Sequence, residues 1–389
     1  MTSRPTVLAS IVLSLALLGD SLLYVVLPPH AATFGVSLPW VGVLLSANRI
    51  VRLFAYPILP RVAATGLRRF TIAAAAVGAL STLVFAFGSG ASVLLASRLA
   101  WGVVFGALSL STLAYATERS EVAGKHVGLS LSVRELGPLF ALTFGAAGAA
   151  AAGVRASLAA LGVMSCVGVL VAMLLPDATM PDRERPASAM PRRSAMPWLS
   201  FATGFVTDGI FPATAGLLLA RSAGVGAAVI GTGMLLGVKR LAVLLLAPIG
   251  GHVAGRFGAG VVMTTGLAAA ALGAAAIAID RPIAGAVLLS CGAALTTTTI
   301  PAVAAAEHRD ERVGAIALVA MTRDVGAALG PLVALALFDA AGAAGTYGMA
   351  ALLLGACSLL PLRAAGRSRV KAVTAVTALQ TGHVHPPSS

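Results

Sequence analysis

The stretch "SVRELGPL" (132–139) places an arginine and a glutamate side by side inside an apolar run. The pattern returns at "TRDVGAALGPL" (322–332), again with a basic–acidic pair, a glycine after the next residue and a Gly-Pro step. Runs of this length, without alternation of apolar and polar residues, read as helices crossing a hydrocarbon layer. There the backbone can satisfy itself only in a helix or a closed barrel. Charge is most costly at such depth, so a pair that occurs twice points to a repeated device.

Working outward, the 389 residues hold 58% hydrophobic and only 11% charged side chains, with a mean hydropathy of +0.94. A soluble domain carries roughly a quarter of its residues as charged side chains. Apolar segments fall at about 7–28, 38–60, 70–89, 92–115, 127–152 and 156–176. After a polar, Pro-rich stretch, six more follow at about 198–220, 227–250, 259–279, 283–305, 314–338 and 343–362. The expected fold is therefore an all-α membrane protein with twelve transmembrane helices in two six-helix bundles. The expected divisions are a bundle over 1–176, a cytoplasmic linker over 177–197, a bundle over 198–364 and a flexible basic tail over 365–389.

Twelve spans put both termini on one side. Seventeen Lys and Arg fall in loops and ends on that side and three, Arg155, Arg221 and Arg281, on the other. Such a bias assigns the termini to the cytoplasm and suits a bacterial-type inner membrane. The net charge of +13 is thus a matter of orientation, and no nucleic-acid partner is expected. Cys166, Cys291 and Cys357 show no metal or redox spacing. No metal or cofactor is expected, the lipid bilayer is the surrounding partner, and a monomer is expected.

The halves align with each other. Arg134-Glu135 matches Arg323-Asp324 at an offset of 189, Arg49 matches Arg240 at 191, and Asp20 matches Asp208 at 188. Repeated halves around a central site are the usual build of secondary transporters.

Eleven charged residues remain within the spans: Asp20, Arg49, Arg52, Arg98, Arg134, Glu135, Asp208, Lys239, Arg240, Arg323 and Asp324. At about 2.5–3.5 kcal/mol each on insertion scales, they would sum to roughly 30 kcal/mol if unpaired and facing lipid. They must face water, one another or a ligand. Asp20, Glu135, Asp208 and Asp324 are the candidates for taking up and releasing a proton. Arg49, Arg52, Arg98, Lys239 and Arg240, with Tyr24 and Asn48 beside them, are the candidates for holding a solute. The basic surplus points to a small anionic or zwitterionic one. Adjacent residues on a helix point about a hundred degrees apart. Arg134 and Glu135 are therefore expected to serve different neighbours rather than each other, and Arg134 and Arg323 to act in charge pairs or gating. "TTTT" (296–299) reads as a packing element whose hydroxyls satisfy their own helix. Gly326 and Gly330 permit close helix approach, and Pro138 and Pro331 loosen a turn.

Further residues resemble motifs of the major facilitator superfamily. The loop "GHVAGRFG" (251–258) is similar to that family's cytoplasmic gating motif at Gly251, Arg256 and Gly258, with Gly255 where the family has an acid. The first-half loop "PRVAATGLRR" (60–69) keeps only the basic cluster. "RLAWGVVFG" (98–106) resembles the Arg-xxx-Gly-xxx-Gly motif of the fourth helix, with Arg98, Gly102 and Gly106 in place. Gly137-Pro138 keeps part of an exporter-associated motif, whose fuller form stands at Gly326–Pro331. The resemblance implies a transporter rather than an enzyme, alternating access between two bundles, proton transfer at Arg98, and efflux coupled to proton entry. Proton-coupled uptake of an organic anion and lipid flipping on the same fold are the rival readings.

Overall fold

The structure is a computed structural model that describes residues 4–117, 129, 130, 132–177, 194–307 and 312–360. Most of the expected linker and the whole expected tail lie outside the described residues.

The first half contains α1 (Arg4–Val26), α2 (Leu38–Ala55), α3 (Leu67–Phe87), α4 (Ala91–Thr117), α5 (Ser132–Ala152) and α6 (Val154–Met173). The second contains α7 (Met196–Ala220), α8 (Ala227–Leu246, continuing helically to Phe257), α9 (Ala259–Ala278) and α10 (Pro282–Glu307). It ends in a long helical stretch, Arg312–Ser358, that breaks at Gly342, where φ is 65° and ψ −164°. That break divides the stretch into α11 (312–341) and α12 (343–358) and completes twelve helices in two bundles. Among the described residues eleven helical stretches are long and apolar enough to cross a bilayer, with Leu318–Ser358, which spans the Gly342 break, counted as one.

The internal repeat extends to the turns. Gly66 (φ 151°) joins α2 to α3 and Gly258 (φ 92°) joins α8 to α9, 192 positions later. Gly153 (φ 92°) joins α5 to α6, and Gly342 lies 189 positions beyond it. Positive φ is open to glycine at little cost, so both halves reverse direction by the same means at equivalent places.

Within a bundle, hydroxyls tie helices whose apolar faces gain little from leaving lipid. Ser81 and Ser97 lie 2.8 Å apart between α3 and α4, and Thr71 donates to Ser111 at 2.9 Å. Thr214 and Tyr347 meet at 2.7 Å between α7 and α12. Glycines bring α1 close to α5 and α7 close to α11. Gly137 of α5 abuts Ser14 of α1 and donates its N–H to the Ser14 hydroxyl at 2.7 Å. Gly326 of α11 abuts Phe201 of α7 in the equivalent place.

A Cβ on Gly330 would lie 2.5 Å from both the Gly209 Cα and the Phe205 carbonyl oxygen. Gly330→Ala is therefore expected to destabilise the protein by about 1–3 kcal/mol through overpacking. A Cβ on Gly348 of α12 meets nothing within 4 Å, so Gly348→Ala should leave the melting temperature level or raise it slightly. Thermal unfolding in detergent compares the two, and equal losses would show that the α7–α11 contact is not tight.

The halves meet along α2–α11, α5–α8 and α1–α7. Gly42 of α2 lies against Pro331 of α11, Gly233 of α8 against Leu142 of α5, and Gly216 of α7 against Val25 and Pro29 at the end of α1. By helix direction, all three approaches lie toward the face opposite the one where α1 begins.

Candidate functional site

Between the bundles lies a cavity of about 370 Å³. Of the eleven charged residues in the spans, all but Arg98 line it. Most of those side chains bond one another.

On α1, Asp20 is held by Arg98 of α4, whose Nη1 donates to its Oδ1 at 2.6 Å. Asn48 of α2 approaches the same oxygen from Nδ2 at 3.4 Å. Arg98 is only 1% exposed and also donates to the Leu44 carbonyl at 3.0 Å. It stands behind Asp20, so of the residues expected to hold a solute it alone fails to reach the cavity wall.

Asp208, the counterpart on α7, is placed by a local departure from α-helical winding. Residues Gly204–Ile210 form a π-helical stretch, a feature frequent at functional sites. Pro212 has no N–H to offer the Asp208 carbonyl four residues back. That carbonyl instead accepts from Arg49 Nη2 of the other bundle at 3.2 Å. The Asp208 carboxylate accepts from Lys239 Nζ at 2.7 Å on one oxygen and from Arg323 Nε at 2.7 Å on the other. Lys239 also donates to the Thr207 carbonyl. Lys239 is the repeat equivalent of Asn48, so both halves present the same α2/α8 position to the aspartate of α1 or α7.

The two remaining acids bridge the bundles. Glu135 Oε2 accepts from Arg240 Nη1 of α8 at 3.0 Å. Asp324 of α11 faces Arg52 Nη2 at 3.5 Å and Arg49 Nη1 at 3.9 Å, both from α2. Since Arg49 and Arg240 are repeat equivalents, as are Glu135 and Asp324, the same ionic bridge spans the two repeat-related seams, α5–α8 and α2–α11. Arg52 is further fixed by the Phe105 ring of α4, 4.4 Å from its guanidinium carbon, and by the Asn48 carbonyl at 3.2 Å. Tyr24 lines the cavity alongside.

One sequence expectation is corrected. Arg134 and Glu135 do neutralise each other: Nε and Nη2 of Arg134 reach Glu135 Oε1 at 3.2 and 2.9 Å. The ideal angular separation does not apply, because the helix is interrupted at Glu135. Its N–H bonds the Ser132 carbonyl three residues back, and regular winding resumes at Leu136. The long arginine arm then folds onto the adjacent carboxylate, whose other oxygen is left for Arg240.

The threonine run is divided in its use. Thr296 and Thr299 bond their own helix carbonyls as expected. Thr297 also accepts from Arg323 Nη2 at 3.2 Å and lines the cavity. The sequence reading missed that contact, the π-helical stretch and the Phe105 stack. The run "GFVTDGIFP" (204–212), with glycines flanking an acid and a proline four residues after it, carried the signal for the helix break. Arg256 is exposed beside Phe257, and Gly258 forms the α8–α9 turn. Neither lines the charged cavity, and Gly251 is on the helical extension of α8 below it.

The sequence profile of the Major Facilitator Superfamily matches residues 197–383. The match covers just under half of the chain, essentially its second bundle. A mutant of the nucleoside transporter NupG superposes with a TM-score of 0.74 at 14% identity, covering 93% of this chain and 98% of its own. The unmutated NupG structure gives 0.70 at 15% identity, covering 94% and 98%. The human organic anion transporter MFSD10 gives 0.66 at 18% identity, covering 93% and 100%. No curated protein sequence matches the chain. The superposed structures share this fold over 93–94% of the chain.

Proposed function

We propose that this protein is a secondary transporter of a bacterial-type inner membrane that moves a small anionic or zwitterionic organic solute by alternating access. Its termini are cytoplasmic, and the preferred direction is efflux driven by proton entry. The observation that carries this reading is the cavity wall, where six basic side chains face four carboxylates between two bundles. A neutral solute would gain little from such a wall, whereas an anion replaces a carboxylate that already serves a cation. Ligand cavities of this kind span roughly 300–1,000 Å³, which suits a small molecule.

Proton coupling follows from the bridges. A proton delivered to Glu135 or Asp324 cancels the charge that joins one bundle to the other, and the same group re-forms the bridge when the proton leaves. A solute anion competing for Arg240 or Arg49 has the same effect on the bridge, so proton and solute act on one element. Likeness to an organic anion transporter adds to the anionic reading only as an analogy of fold.

The test is flux in proteoliposomes loaded with radiolabelled organic acids and subjected to a pH jump. Movement that follows the proton gradient, and that Arg49→Ala or Arg240→Ala abolishes, supports the proposal. Flux indifferent to the gradient removes proton coupling, and flux of neutral nucleosides but not of acids removes the anionic solute.

A further inference from the structure

The ion pairs around the cavity are not one to one. Asp20 with Arg98 is balanced. Glu135 serves Arg134 and Arg240, Asp324 serves Arg49 and Arg52, and Asp208 serves Lys239 and Arg323. Each of the last three clusters holds two cations on one carboxylate and keeps one uncompensated positive charge.

The three clusters differ in what their cations have left to offer. Around Asp208 the contacts are short and the donors engaged: Lys239 bonds two oxygens, and Arg323 bonds both Asp208 and Thr297. At the α5–α8 seam the donors are freer. The side chains of Arg240 and Arg134 are 40% and 32% exposed, and a guanidinium carries five N–H groups. Asp324 stands at 3.5 and 3.9 Å from its two arginines, beyond good hydrogen-bond geometry, and Arg49 Nε has no partner among the described residues. The repeat places these two clusters at equivalent points of opposite seams, α5–α8 and α2–α11, facing one cavity; at the second the arginines are fixed by the Asn48 and Asp208 carbonyls and by Phe105, and it is Asp324 that is loosely held.

We propose that the solute carries at least two separate anionic groups, one seated between Arg134 and Arg240 and the other at Arg49 and Arg52. This deepens the anionic reading above and rests on it. A monoanion neutralises one seam and leaves the other with its excess charge. A dianion answers both, touches both bundles and holds them in one complex. A dicarboxylate-like solute thereby fits the two-fold charge arrangement in a way that a monocarboxylate does not.

The experiment is equilibrium binding to the purified full-length protein in nanodiscs, by calorimetry at fixed ionic strength. The probes are succinate, glutarate and adipate, each with its monoamide and diamide. Each series holds length nearly constant while the charge falls from two to one to none. In at least one series the diacid is expected to bind about tenfold or more tightly than the monoamide. Arg52→Gln and Arg240→Gln should each bring that ratio toward one, while Arg52→Lys and Arg240→Lys retain most of it. Thermal unfolding checks that the variants are folded, and if the Gln forms are not, the wild-type ratio decides alone. Equal binding of diacid and monoamide in every series overturns this inference and leaves the anionic reading standing. Acids that bind no better than diamides, or no binding by any probe, overturn both.

Discussion

Asp208→Asn is expected to destabilise the protein by about 3–5 kcal/mol and to bring solute flux below detection, the loss typical of breaking a buried ion pair from one side. The substitution keeps the shape of the side chain and removes only its charge. Lys239 and Arg323, each 2.7 Å from a carboxylate oxygen, are then left in the span with an amide between them. An amide offers one acceptor where the carboxylate offered two, so one of the two cations also loses its hydrogen bond. The main-chain contact of Arg49 to the Asp208 carbonyl is untouched, which keeps Pro212 and the π-helical stretch out of the comparison. Adding Lys239→Met removes one uncompensated cation and should recover part of the melting temperature while flux remains absent. A single Asp208→Asn as stable as the wild type would show that water in the cavity screens the cluster, and that its cations do not depend on this carboxylate.

The fold was legible because hydrocarbon permits so few solutions. Apolar runs of span length, separated by short basic or polar loops, leave only helices, and the recurring Arg-acid pair located the repeat without coordinates. The turn glycines at Gly66, Gly153, Gly258 and Gly342 belong to the same repeat but were visible only once their positive φ and equivalent spacing were known. The charged residues themselves were legible as a set, since ten of eleven line one cavity. Their partners were not. Whether Glu135 meets Arg134, Arg240 or both depends on a helix interruption and on the seam between halves, neither of which a helical wheel contains. Arg98 shows the same limit. Its cost in the span is the same whether it faces a solute or stands behind Asp20, so sequence alone cannot separate a binding cation from a supporting one.

The seams make the second large prediction. Glu135→Gln removes the charge that Arg240 reaches across α5–α8 at 3.0 Å. Arg240 is partly exposed to the cavity, so the bridge contributes less than a sealed pair and more than a surface one, about 1–2 kcal/mol. That corresponds to roughly a five- to thirtyfold change in the balance between this conformation and its alternatives. The measurement is the distance distribution between spin labels at Thr65→Cys and Arg256→Cys, one on each bundle, in a background lacking Cys166, Cys291 and Cys357. Glu135→Gln should move population toward a second distance. Asp324→Asn should do so less, because its contacts at 3.5 and 3.9 Å are longer. Exchanging the charges, Glu135→Arg with Arg240→Glu, should return most of the original distribution, since a cross-seam pair forms again with the opposite polarity. Unchanged distributions in both single variants would mean that the bundles are held by the close packing of Gly42 on Pro331 and Gly233 on Leu142. The ionic bridges would then report the conformation without setting it, and neither a proton nor a solute could drive the exchange through them.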